Sequence, residues 1–280
     1  MKRLAYICLD PGVPPFGGKG CSVHVQEVLR VFIELGWQVQ LYCCKAGGPA
    51  AKGLSDVRVR EMPVAKVSDP AEREQSLLAL NTELLEVLAA DGPFDLIYER
   101  HALWSFAAAD YAQSEKPPLL LEVNAPLIVE QATHRELIDR IAAARATRRI
   151  CEGANLIAAV SPEVAEYCTT HGAAPERTVV SPNGVCCQRF TPRAMATSLD
   201  QPFTIGFVGS LRPWHAVNDL VAAFAELHEM TRNSRLLIVG DGPGREALLG
   251  QVAQLPPAIR PAVSALAREA RCRCRTLCRR

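Results

Sequence analysis

Several common signals are missing from this sequence, and each absence narrows what the chain can be. Charge of one sign is missing: 280 residues sum to +1 at pH 7, which removes the broad basic surface expected of a nucleic-acid-binding domain. Long apolar runs are missing too. None approaches the ~18 residues of a membrane-spanning helix, and Met1-Lys2-Arg3 is followed by only six apolar residues before Asp10, too few for the core of a secretory signal. Cysteine is plentiful, with 11 residues, but no CxxC spacing occurs. Cys8 and Cys43 fall in apolar strand-like runs, and Cys43-Cys44 and Cys186-Cys187 are adjacent pairs. Free thiols in a reducing cytoplasm are therefore expected, rather than a disulfide framework or a zinc site.

What is present describes a globular protein. Hydrophobic residues make up 49% of the chain and charged residues 22%, enough to bury a core in one large or two ordinary α/β domains. The near-zero net charge hides an asymmetry. Residues 251–280 hold seven Arg, no Lys and the single acid Glu269, a local +6, so residues 1–250 sum to −5.

Periodicity gives the organisation. Leu4 to Leu9 is a short apolar run, as in a strand buried on both faces. A loop, DPGVPPFGGKGC at 10–21, leads to Ser22 as a helix cap. The helix buries Val25, Val28, Leu29, Phe32 and Leu35 and stops at Gly36, and a strand follows at 38–43. Asp69-Pro70 opens a helix through about residue 90. Strands at 95–99, 119–123, 155–160 and 178–180 alternate with helices expected at 101–112, 134–151 and from Ser161-Pro162 to near Gly172. Such alternation specifies a parallel, doubly wound sheet. Residues 1–185 are read as this first domain and 186–202, which lack a period, as a linker. Strands at 203–208 and 235–239, helices near 216–229 and from 244, and a glycine turn at 240–244 begin a second domain, 203–250. Residues 251–280 read as an atypical Arg/Cys-rich tail.

Four stretches in this order resemble the retaining glycosyltransferases of family 4. They are Gly17-Gly18-Lys19-Gly20 with Ser22-Val23-His24; Ser181-Pro182-Asn183-Gly184-Val185 with Arg189-Phe190-Thr191-Pro192; Phe207-Val208-Gly209-Ser210-Leu211-Arg212-Pro213-Trp214-His215; and Val239-Gly240-Asp241-Gly242-Pro243-Gly244. The resemblance implies the GT-B architecture of two Rossmann-like domains. It implies a nucleotide-sugar donor, a glycan or lipid-linked acceptor of cell-envelope type, transfer with retention, and neither cofactor nor metal. Gly17, Gly18, Gly209, Ser210, Arg212, His215, Gly240 and Gly242 become the expected donor and phosphate contacts. Helix N-termini and glycine loops at strand ends suit a diphosphate.

The chain departs from the family at named positions. Ser210 and His215 stand where the family has Arg and Lys, so Arg212 is expected to supply the displaced charge. Cys186 replaces an Asp. In the first domain the family places a His beside the reacting sugar; here Asn124 occupies that neighbourhood, with His134 ten residues on, and both are taken as the catalytic candidates. His24, His101 and Glu99-Arg100 are further candidates. The family's Glu-x7-Glu pair has no counterpart after residue 250. The tail is therefore read as foreign or truncated sequence, with a basic patch for anionic membrane surfaces as the functional alternative. Two function readings follow: a cytoplasmic glycosyltransferase, or an inactive remnant or binding module of the same family. A P-loop reading fails because Gly20, not Ser or Thr, follows Lys19.

Overall fold

The computed structural model describes residues 1–184, 186, 187 and 202–266. Cα packing divides the chain into two units, Met1–Thr191 and Pro192–Arg280. The PNGV-type segment's second half, most of the expected linker, and the tail beyond 266 lie outside the described residues.

The first unit is a seven-stranded sheet. Its strands are β1 (Arg3–Cys8), β2 (Gln38–Cys43), β3 (Arg58–Glu61), β4 (Leu96–Arg100), β5 (Leu119–Val123), β6 (Leu156–Ala159) and β7 (Thr178–Val180). Their order is β3-β2-β1-β4-β5-β6-β7, and every pairing is parallel. Six helices cross between strands: α1 (Gly20–Glu34), α2 (Pro70–Asp91), α3 (Ala107–Glu115), α4 (Leu127–His134), α5 (Arg140–Gly153) and α6 (Pro162–Thr170). Central strands are apolar on both faces because helices cover both. One core gathers Ile7, Leu84, Leu88, Ile97, Leu121 and Ile150; the other gathers Leu4, Tyr6, Val25, Leu29, Leu41 and Tyr98. The chain runs outward from β1 through β2 to β3, then returns to place β4 on the other side of β1. That reversal is the topological switch point, where open α/β sheets leave a crevice beyond the strand ends.

The helices start and stop for local reasons. Asp69 caps α2, its carboxylate accepting from the Glu72 N–H at 2.9 Å, with Pro70 at the first helical position. Ser161 caps α6 with the same Pro arrangement. Three expectations from the sequence are corrected. α1 begins at Gly20 with Lys19 as N-cap, so Ser22 sits inside the first turn, fully buried, and caps nothing. The helix expected at 101–112 starts only at Ala107, because Asn81 on α2 accepts from the Phe106 and Ala107 N–H groups at 2.7 and 2.9 Å and caps α3 there. The single helix expected at 134–151 is two. Glu74 on α2 accepts from the Ile138 and Asp139 N–H groups, both at 2.9 Å, which breaks the helix, and Asp139 then caps α5 by accepting from the Ala142 N–H.

The second unit holds β8 (Phe203–Ser210), β9 (Ser234–Asp241) and β10 (Val263–Leu266), parallel in the order β10-β9-β8, with α7 (Val217–Met230) and α8 (Arg245–Gln254). Its core is Leu211, Val221, Phe224, Leu236, Ile238 and Leu248. The third strand was not expected from the sequence: it is four residues long and preceded by Pro256, Pro257 and Pro261, which mask it as loop. The eight cysteines among the described residues carry no disulfide. No helix among the described residues is long and apolar enough to cross a membrane.

Candidate active site

The switch point of the first unit carries a buried anion surrounded by donors. Glu122 lies on β5, directly across from Arg100 on β4 in the strand register. Its Oε1 accepts from Arg100 at 2.6 Å and from the Asn124 amide, and His24 Nε2 on α1 lies 3.0 Å away. Its Oε2 accepts from the Tyr98 hydroxyl at 2.5 Å. Tyr98 stacks on Tyr6 of β1, ring centroids 5.0 Å apart. Burial by itself would raise the Glu122 carboxyl. The hydrogen bond and charge of His24, with the Arg100 charge and the Tyr98 hydrogen bond, outweigh it and hold the group at about 2. A carboxylate so saturated is a poor base near neutrality. Its chemical role is to orient Arg100, His24 and Asn124 at the strand ends.

Asn124 is the site's projecting group. Its amide N–H is committed to Glu122, and its buried Oδ1 has no protein partner. A side chain in that state can accept from a hydroxyl. His134 closes α4, ten residues on and exposed; none of the contacts to Glu122 involves it. Gly17 makes a turn with Pro14, its N–H donating to the Pro14 carbonyl at 2.9 Å. A Cβ there would come within about 3 Å of Pro14 and of the Ser22 hydroxyl. Gly18 lies in the same loop, immediately before Lys19. Lys19 donates to the Gly12 carbonyl at 3.0 Å and holds the loop closed. α1 carries no side-chain cap and no acid in its first turn, so its N-terminal N–H groups retain their positive end for an anion.

On the opposite face of β4, Glu99 and His101 are buried without a hydrogen-bond partner for their side-chain polar atoms. Burial raises Glu99 to about 7 despite the nearby Ser105 hydroxyl. It lowers His101 to about 4, with the His171 and Arg100 charges adding to the effect. They face away from Arg100 and Glu122, because neighbouring strand residues point to opposite sides.

In the second unit the β8 end and the loop to α7 bring together most of the remaining expected residues. Gly209 pairs with Gly240 in register, and a Cβ on Gly240 would stand 2.1 Å from the Gly209 carbonyl oxygen. Gly242, at φ +156°, lies against the Leu211 backbone so closely that a Cβ would meet the Leu211 carbonyl oxygen at 2.7 Å. Only glycine allows these two turns to nest. Beyond Ser210 the chain turns through Pro213–His215, and His215 Nδ1 donates to the Ser210 carbonyl at 2.5 Å. That bond fixes the tautomer or charge state in which Nδ1 carries hydrogen and leaves Nε2 on the other side of the ring. Ser210, Arg212 and His215 are all exposed along one short loop.

Sequence reading missed Glu122, Tyr98 and Tyr6. The signal for Glu122 was there: a carboxylate within the apolar strand Leu119–Val123 demands a buried cation, and Arg100 ends the preceding strand.

The chain belongs to Glycosyltransferase Family 4, whose model matches residues 18–189. D-inositol 3-phosphate glycosyltransferase 1 of Catenulispora acidiphila is 26% identical over 80% of this chain, which spans 57% of that protein's length. D-inositol 3-phosphate glycosyltransferase of Pseudarthrobacter chlorophenolicus is also 26% identical, over 96% of this chain and 72% of its own. Among solved structures, sucrose-phosphate synthase of Thermosynechococcus elongatus superposes with a TM-score of 0.70 at 17% identity, covering 95% of this chain and 70% of its own. The Anabaena protein Alr3699/HepE, solved with UDP-glucose, gives 0.65 at 16% identity, covering 95% and 69%. The fold is thus α/β and GT-B-like, with a complete doubly wound first domain and the β8–β10 sheet of a second.

Proposed function

We propose that this chain is a glycosyltransferase that moves a sugar from a nucleotide-sugar donor to a glycan or lipid-linked acceptor with retention of configuration, in the cytoplasm. The observation that carries the reading is the Glu122 cluster at the switch point, which holds a hydroxyl-accepting Asn124 at the end of β5. Family membership and relatives named as glycosyltransferases support it. The donor is a substrate here, and no resident cofactor or metal takes part. On the second unit, Arg212 and His215 of the 209–215 loop suit the charge of a diphosphate, and an oxygen of that leaving group takes the acceptor's proton. Asn124 holds a hydroxyl of the reacting sugar, and the gain comes from positioning rather than from a protein base.

The alternative is a binding module or inactive remnant of the same family. One observation favours it: Ser210 and His215 stand where the family has Arg and Lys. Incubating the full chain with radiolabelled UDP- and GDP-sugars and polyprenyl-phosphate or glycan acceptors separates the two. The enzyme reading expects labelled product, reduced at least about tenfold in kcat by Asn124→Ala. Donor binding without product supports the module, and product formation indifferent to Asn124→Ala overturns the site.

A further inference from the structure

The loop that leads from β1 into α1, residues 10–20, has little means of holding its own shape. It contains three Pro and four Gly; proline brings no N–H, and glycine leaves the backbone free to turn. Three backbone bonds hold it. The Val13 N–H donates to the Asp10 carbonyl and the Gly17 N–H to the Pro14 carbonyl, both at 2.9 Å, and the Phe16 N–H donates to the Ala46 carbonyl at 2.7 Å. The Pro15 and Gly17 carbonyls accept from none of these N–H groups.

Gln26, buried in the second turn of α1, supplies both of them. Its Nε2 donates to the Pro15 carbonyl at 2.9 Å and to the Gly17 carbonyl at 3.0 Å, so each amide hydrogen has one acceptor. The two carbonyls belong to the turn that the Gly17–Pro14 bond closes. One planar group gripping both sets the curvature of that turn and its distance from α1. Gly17 has no slack there, since a Cβ would lie 3.0 Å from the Pro14 carbonyl oxygen and from the Ser22 hydroxyl. Among the described residues Gln26 makes no other hydrogen bond. Its amide therefore serves the loop and not the pairing of the sheet.

We propose that Gln26 is a positioning residue that holds the 14–18 loop in the shape that receives the nucleotide sugar. The role rests on the transfer reading, under which Gly17 and Gly18 contact the donor. A loop ordered only when the ligand arrives lowers affinity by the entropy of ordering it, and a loop ordered beforehand does not. Gln26 acts through the loop and touches no reacting atom. Its effect falls on donor binding, and so on KM, rather than on kcat.

Gln26→Met tests this, because it keeps the length and helix propensity of glutamine and removes both donors. Hydrogen exchange of the full chain without ligand reads the loop. Exchange at Phe16 and Gly17 should quicken about tenfold or more, as expected for two lost hydrogen bonds. Exchange in the body of α1 and far-UV circular dichroism should stay as in the wild type. Gln26→Glu, which sets an anion against the two carbonyls, should quicken the loop further. Calorimetry and steady-state kinetics with UDP- and GDP-sugars read the consequence. Donor Kd and KM should rise about tenfold in Gln26→Met, with kcat changed less than about threefold. Unchanged exchange at Phe16 and Gly17 overturns the proposal. So does faster exchange with unaltered donor affinity, and so does a loss confined to kcat. A wild type that binds no nucleotide sugar overturns the transfer reading and this role with it; the exchange data, which need no ligand, then show that the failure lies in that reading and not in the Gln26 contacts.

Discussion

Glu122→Gln is the sharpest perturbation of the site, because it removes a charge and keeps a shape. Glutamine can place its oxygen where Oε1 meets Arg100, Asn124 and His24, and turn its amide toward Tyr98, whose hydroxyl rotates to accept. What is lost is the anion that Arg100 was buried against, both side chains being largely shielded from water. The carboxyl is held at about 2 against an ordinary 4.5. At about 1.4 kcal/mol per pH unit, that difference is about 3 kcal/mol of stability, within the range for breaking a buried pair. The sign follows from the depressed value: the contribution is fully present above pH 4.5 and is lost as pH falls toward 2. For a unit of this size the variant's Tm at pH 7 should fall by roughly 6–12 °C. Urea unfolding from pH 7 down to pH 3 is the assay. The wild type should weaken below pH 4.5 and Glu122→Gln should lack that slope. Arg100→Met in the Glu122→Gln background should cost less than it does alone. A loss under about 0.5 kcal/mol at pH 7, or an unchanged acid slope, refutes the reasoning.

Three further outcomes follow from the same geometry. Asn81→Leu removes an amide that donates to the Leu78 and Trp104 carbonyls and accepts from two N–H groups at the α3 start; it should cost about 2–4 kcal/mol and speed hydrogen exchange at Phe106 and Ala107. Glu99→Gln should stabilise the fold near pH 7 by about 3 kcal/mol, since a carboxyl raised to about 7 loses stability as pH climbs from 4.5. In that variant the opposite slope of His101, lowered to about 4, should appear as stability rising from pH 4 to 6.5; chemical denaturation across this range reads both. Gly240→Ala should force β8 and β9 apart and cost about 2 kcal/mol or more, whereas Gly206→Ala, with open space at its Cβ, should cost little; a melt of each variant decides it.

The parallel sheet of the first unit was legible because buried strands and helix caps are local signals. Leu4 to Leu9, Asp69-Pro70 and Ser161-Pro162 announce themselves within a few residues. What was not legible depends on partners far away in sequence. The late start of α3 and the break before α5 are imposed by Asn81 and Glu74, both on α2, and no window around residues 101–112 or 134–151 contains them. β3 escaped because Arg58–Glu61 is a short, exposed edge strand, and β10 because it is four residues long and follows closely on three prolines. The site was half readable. Glycine loops stood out by pattern and Asn124 only through the family resemblance, but Glu122 becomes meaningful only when the sheet sets β5 beside β4 and closes Arg100, Tyr98 and His24 around it.

The central claim is that the chain takes a nucleotide sugar through the loop from Gly209 to His215. Calorimetric titration of the full chain with UDP- and GDP-sugars tests it most directly. The account predicts saturable binding of at least one of them near one site per chain, weakened about tenfold or more by Arg212→Ala through loss of a charge-assisted phosphate contact. No saturable heat with any of these donors, or binding that Arg212→Ala leaves untouched, contradicts it.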